Sequence, residues 1–130
     1  MIDIEAIRNN VLTNQDWRSI SCNHTLSEDF IREFQDKVNW KYISLYQRLS
    51  ENFIKEFEAK VYWDYISSYQ KLSENFIIEF QDKVNWRAIS VQQKLSKEFI
   101  SANLDKLKIE LLSLNDKLSS EVEEFCKMFL

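Results

Sequence analysis

The 130-residue chain contains no glycine and no proline. Without them, Asn-Gly hairpin turns and tight left-handed turns are hard to build. A phosphate-cradling loop also needs glycines, so nucleotide motifs of that kind are excluded. Histidine occurs once, as His24, and cysteine twice, as Cys22 and Cys126. A zinc site would need more His and Cys ligands than these, and the two cysteines show neither metal nor redox spacing. A reducing cytoplasm is therefore the expected setting. No run of about 18 apolar residues is present, so no membrane span is expected. The opening stretch, MIDIEAIRNN, has early acids and no apolar core run, and so does not read as a signal peptide. The net charge of −4 lacks the basic stripe of a duplex nucleic-acid binder.

What is present is a repeat. The 23-residue unit is clearest at Leu49–Lys71, and the same wording runs over Leu26–Arg48 and Leu72–Lys94. Leu49, Phe53, Ile54, Phe57 and Val61 fall about four apart, which is helical periodicity. Ser50 sits where an N-cap belongs, with Leu49 and Ile54 as the hydrophobic staple. Leu26/Ile31, Leu72/Ile77 and Leu95/Ile100 repeat that pairing. A second start lies inside each unit. Asn39 and Asn85 precede Trp40 and Trp86, and Val38/Ile43 and Val84/Ile89 form the matching staples. Tyr62 takes the cap position in the middle copy, where a weaker cap is expected.

Two starts per unit predict two short helices of eight to eleven residues. Helices that short are marginal alone, since isolated helices need roughly 12–15 residues. They must bury their apolar faces on neighbouring units, which is the logic of a solenoid. The expected fold is all-α: one domain over 1–130, a short α-solenoid with degenerate ends. A leucine-rich repeat is the rival, with Trp-x-x-Ile-Ser as a strand, but the unit lacks the Leu-x-Leu and Asn signature.

Residues 1–25 read as a worn N-terminal copy, in which Asp3 caps a helix stapled by Ile2 and Ile7. Residues 26–94 are three clear repeats. Residues 95–130 form a degenerate C-terminal cap, in which Lys108 replaces the second cap residue, so its two helices are expected to fuse. Glu33/Lys37, Glu56/Lys60 and Glu79/Lys83 have the spacing of favourable i,i+4 pairs. Lysines 37, 60 and 83, and later Arg48, Lys71 and Lys94, sit where positive charge suits a helix C-terminus.

The string LSEDFIREFQDKVNWKYIS at 26–44 resembles a short repeat found in tandem in proteins of large DNA viruses and some bacteriophages. The resemblance covers Leu26–Lys94 and fades on both sides. It implies no enzymatic activity and no catalytic residue. It implies a viral or phage protein that engages host machinery, including inhibition of host defence.

No constellation for catalysis stands out. A triad needs a nucleophile, a base and an orienting group, and His24 stands two residues from Cys22 with no third member in view. The ladder Glu33/Glu56/Glu79 reads as a solvated, salt-bridged face. Neither a cofactor nor a metal is expected, and the chain does not read as an enzyme. Trp17, Trp40, Trp63 and Trp86 recur at one repeat position. They read as a core ladder at the joint between helices, each indole N–H needing an acceptor, rather than as a base-stacking platform.

The positions that vary say more about binding. Tyr42 and Tyr46 lie four apart, and Tyr65 and Tyr69 repeat the pair one unit on. The equivalents are Ser19 and Asn23 at one end, Ala88 and Gln92 at the other. Tyrosine is enriched at interface hot spots, so these four are the candidate partner-binding residues, with a host protein as partner. Leu104, Leu107, Leu111, Leu114 and Leu118 alternate in steps of three and four, like a coiled-coil seam. A solenoid end cap accounts for them first; a homodimer through that seam is the alternative.

Overall fold

Serines start the first helix of each repeat. In the computed structural model, which describes residues 3–9 and 11–130, the hydroxyls of Ser27, Ser50, Ser73 and Ser96 each accept the backbone N–H three residues on, at 3.0–3.2 Å. Asn39 and Asn85 cap the second helices in the same way, through the amides of Tyr42 and Ala88. The helices are α1 (Ile4–Asn9), α2 (Asn14–Asn23), α3 (Glu28–Glu33), α4 (Trp40–Tyr46), α5 (Glu51–Glu56), α6 (Trp63–Tyr69), α7 (Glu74–Glu79), α8 (Trp86–Gln92), α9 (Lys97–Ala102) and α10 (Ser120–Phe129), with a 3-10 helix at Ile109–Leu114. No strand occurs among the described residues, which overturns the leucine-rich-repeat alternative. The fold is an all-α array of two-helix repeats.

The chain divides into two compact units, Met1–Tyr62 and Trp63–Leu130. In the first, α2 packs on α4; in the second, α6 packs on α8, α8 on the 3-10 helix and α9 on α10. The second helices of successive repeats thus form one layer within each unit. Both members of every serine-start staple, Leu26/Ile31, Leu49/Ile54, Leu72/Ile77 and Leu95/Ile100, are buried. Each such side chain contributes about 1.5–3 kcal/mol on leaving water. Ile2, the expected partner of Ile7, lies outside the described residues.

The helices are shorter than their periodicity predicts, with six residues in the first of each central pair and seven in the second. The first stops because Phe34, Phe57 and Phe80 leave helical geometry, with φ near −110° and ψ near 30°. Their carbonyls then accept from the residues three and four on, closing a turn (Lys37 and Val38 onto Phe34 at 2.8 and 3.0 Å). The apolar spacing continues through this turn, which is why it mimics a longer helix. Lysines 37, 60 and 83 consequently lie beyond the helix end, and Glu33, Glu56 and Lys60 bond to other repeats instead of within an i,i+4 pair. Glu33 pairs with Arg8, Glu56 with Arg32 at 2.9 Å, and Lys60 with Asp36 at 3.2 Å.

A glycine-free chain must still end its second helices. No described residue has a positive φ, so the left-handed cap is not used. Gln47 and Gln93 instead leave the helix in extended geometry, and their side chains serve the preceding repeat. The Gln93 amide nitrogen donates to the carbonyls of Ser67 and Gln70 at 2.9 and 2.8 Å, and its oxygen accepts the Leu72 N–H at 3.1 Å. Gln47 does the same with Ser21, His24 and Leu26. The orphan carbonyls at a helix end are thereby closed by the next copy.

The C-terminal copy departs from expectation in an informative way. Lys108 makes no side-chain cap bond, yet the helices on either side do not fuse. The Lys108 N–H is held by the Ser90 hydroxyl at 2.9 Å, which keeps the break, and the second element forms as a 3-10 helix. Such a helix rises about 2.0 Å per residue against about 1.5 Å, so it reaches the same point sooner. Asn115, one position earlier than the register of Gln93 requires, donates to Ser90 and Gln93 carbonyls, both at 2.8 Å.

Candidate interaction surface

The two tyrosine pairs stand on equivalent helices in different units. In the first unit, Asn39 caps α4 and sets Tyr42 and Tyr46 one turn apart, ring centres 5.9 Å from each other. Tyr42 is half-buried and carries the Arg18 guanidinium over its ring at 5.7 Å; Tyr46 is 57% exposed. In the second unit, Tyr65 and Tyr69 on α6 are stacked at 6.3 Å, and Tyr69 is 62% exposed. Each pair is therefore half anchor and half free aromatic face. Large aromatic area held at low conformational entropy is what interface anchors need.

The tryptophans occupy a different role. Trp40 packs on Phe57 and Phe53 of the next repeat at 5.0 and 6.2 Å, and Trp63 on Phe80 and Phe76 at 5.2 and 6.1 Å. The indole N–H groups of Trp40 and Trp86 each donate to a backbone carbonyl five residues back, Gln35 and Gln81, at 2.9 Å. Ring faces that pack across the repeat joint do not offer a stacking platform.

The five leucines do not share one helical stripe. Residues 104–106 are turn, 109–114 are 3-10 helix and 116–117 are turn again. Leu107 and Leu118 are buried, Leu111 is half-buried, and Leu104 and Leu114 are exposed. Further exposed apolar surface lies on α10, at Met128 and Phe129, about 70% exposed each.

His24 is exposed, and the Cys22 sulfur lies 3.8 Å from the Ser19 carbonyl. Both cysteines are free thiols, and burial pushes the Cys126 thiol above its ordinary value. Other shifts are surface effects. The Thr13 backbone N–H holds Asp16 below the usual carboxylate range, and the bond from Arg8 does so for Glu33. No cluster of three or more metal-ligating side chains occurs among the described residues, and no described helix is long and apolar enough to cross a membrane.

Sequence reasoning passed over the serine of Trp-x-x-Ile-Ser. Ser21, Ser44, Ser67 and Ser90 are fully buried. Each donates to the tryptophan carbonyl four residues back at 2.7–2.8 Å. Each also accepts the backbone N–H at the cap position of the next repeat at 2.9–3.0 Å. Their recurrence in every copy was the available signal. Comparison with family models, curated proteins and solved structures finds no match.

Proposed function

We propose that the chain is a non-enzymatic interaction protein, encoded by a virus or phage, which binds a host protein in the cytoplasm and blocks it sterically. A host defence component is the favoured target class. The carrying observation is the exposure of Tyr46 and Tyr69 on helices whose buried faces are already accounted for. The viral or phage origin rests on the resemblance of the repeat wording. The partner-binding residues are Tyr42, Tyr46, Tyr65 and Tyr69.

The test is affinity capture from host lysate with the wild-type chain and a Tyr42/Tyr46/Tyr65/Tyr69→Ala variant, helicity being checked for both. A partner retained by wild type and lost by the folded variant supports the reading. A partner retained equally by both removes the tyrosines from the interface.

The second reading is self-assembly. Met128, Phe129 and Leu130 at the end of α10, and Leu114 on the 3-10 helix, are exposed in the second unit, and a second copy of the chain would cover them. It predicts a solution mass above 15.7 kDa that falls on Leu114→Glu or Phe129→Glu. A monomer at high concentration disposes of it.

A further inference from the structure

We infer that the second unit carries a groove for an extended acidic segment of a partner protein, with one carboxylate seated per repeat. This rests on the interaction-protein reading and names the chemistry of what is bound. The groove, about 1040 Å³, runs along the links between the second helix of one repeat and the first of the next. Leu72, Leu95 and Val122 are its buried apolar floor; Tyr69 stands in its wall. Lys71, Lys94 and Lys117 line it at intervals of 23 residues, all exposed.

These lysines are not absorbed by the fold. The carbonyls that a cation past a helix end would serve are taken by the Gln93 and Asn115 amides. Lys71 and Lys94 have no hydrogen-bond or ion-pair partner among the described residues. Lys117 reaches only Gln92 at 3.1 Å and Asp116 at 3.7 Å. The groove's carboxylates are mostly committed. Glu74 accepts from the Ser96 N–H and hydroxyl at 2.6 and 3.0 Å, and Glu121 pairs with Lys97 at 2.8 Å. Glu74 keeps its charge because its partners are neutral, so four lysines (Lys71, Lys94, Lys97 and Lys117) face three glutamates (Glu74, Glu98 and Glu121), which leaves the groove one positive charge in excess on a chain of net charge −4.

Spacing identifies the ligand. Helix α6 packs on α8, and α8 on the 3-10 helix; packed helices lie about 8–10 Å apart. A polyproline II strand rises about 3.1 Å per residue with three residues per turn, so every third side chain returns to one face about 9 Å on. Glu-x-x-Glu-x-x-Glu in that conformation presents one carboxylate to each lysine. A nucleic-acid strand carries its phosphates more densely, one per roughly 3.4 Å in a duplex strand, and the groove has a single tyrosine on which to stack bases.

The experiment is fluorescence anisotropy on the full chain with two labelled peptides of one composition, Glu-Pro-Pro-Glu-Pro-Pro-Glu and Glu-Glu-Glu-Pro-Pro-Pro-Pro. The spaced peptide should bind about ten-fold tighter, and Lys94→Glu should weaken it by about ten-fold or more, helicity unchanged. Lys94→Gln should give an intermediate loss. Equal affinity for both peptides, indifference to Lys94→Glu, or tighter binding of oligo-dT than of either peptide would overturn the assignment. Host-partner capture by a Tyr42/Tyr46→Ala variant, altered only in the first unit, separates the two readings. If capture depends on those tyrosines while the peptide fails, the groove falls and the interaction reading stands.

Discussion

Replacing Gln93 by leucine tests whether the buried amides hold the repeats together. The side chain is 4% exposed and makes three hydrogen bonds, all at 3.1 Å or less, to Ser67, Gln70 and Leu72. Leucine keeps the volume and removes all three. A neutral hydrogen bond contributes about 0.5–1.5 kcal/mol net, which gives about 3 kcal/mol for the set. The added apolar burial offsets part of this loss, while the stranded N–H and carbonyls add to it. The expected destabilisation is about 2–4 kcal/mol, a large share of the 5–15 kcal/mol typical of a domain. With a urea slope of about 2 kcal/mol/M, the midpoint should fall by roughly 1–2 M. The control is Gln92→Leu next door, whose side chain is half-buried and holds Lys117 at 3.1 Å; it should stay within about 0.5 kcal/mol. If Gln93→Leu unfolds at the same urea concentration as the control, the amide bracket is not a source of stability and the account of how glycine-free helix ends are closed is wrong.

Two further outcomes separate core from surface and fix the pH response. Trp40→Ala should cost about 2–4 kcal/mol in urea melts, because a half-buried ring packed on Phe57 at 5.0 Å is removed; Tyr46→Ala, 57% exposed, should stay within about 0.5 kcal/mol. Equal losses would contradict the division into tryptophan core and tyrosine surface. The carboxyls of Asp16 and Glu33 are depressed in the folded chain by the Thr13 N–H and by Arg8. Their stabilisation is therefore full above the ordinary carboxylate value of about 4 and is lost as pH falls through the lower folded values. Urea midpoints at pH 7, 4 and 2.5 should fall in that order, and an Asp16→Asn/Glu33→Gln chain should lose less on acidification than wild type; an identical pH profile for the two would refute it.

Much of the fold was legible because its signals are local. Ser27, Ser50, Ser73 and Ser96 each announce a helix start, and the Leu–Ile staples around them name the core. Helix length was not legible, because the turn after Phe34, Phe57 and Phe80 continues the apolar spacing without being helical. Ion pairing was misread for the same reason: Glu33 and Lys37 have helical spacing in sequence, but the helix ends between them. The buried Ser44 and Gln47 could not be found from hydropathy, since a polar residue on a short helix looks solvated until its partner 18 to 26 positions away is placed. Of the candidate surface, the tyrosine pairs were legible as pairs. The groove was not, since Lys71 and Lys94 read as ordinary helix-end charges until the carbonyls they would serve are seen to be occupied, and Lys117 lies in the copy whose repeat wording has decayed.

Recurrence across copies therefore divides into two kinds. Trp40, Ser44 and Gln47 represent positions that recur because an adjacent repeat needs them: Trp40 packs on the next copy, Ser44 accepts its cap N–H, and Gln47 bonds to the preceding copy. Lys71 and Lys94 also recur, yet among the described residues they have no hydrogen-bond or ion-pair partner. A position that repeats without serving the stack asks for a ligand that repeats with it. An extended chain with a three-residue period is such a ligand, and the tyrosine pairs, confined to the central copies, then add affinity rather than register. On this division, exchanging Tyr69 for alanine should weaken the spaced and the clustered acidic peptides by similar factors, whereas Lys94→Glu should erase the difference between them. The reverse pattern would assign register to the aromatic wall and leave the lysines as bulk charge.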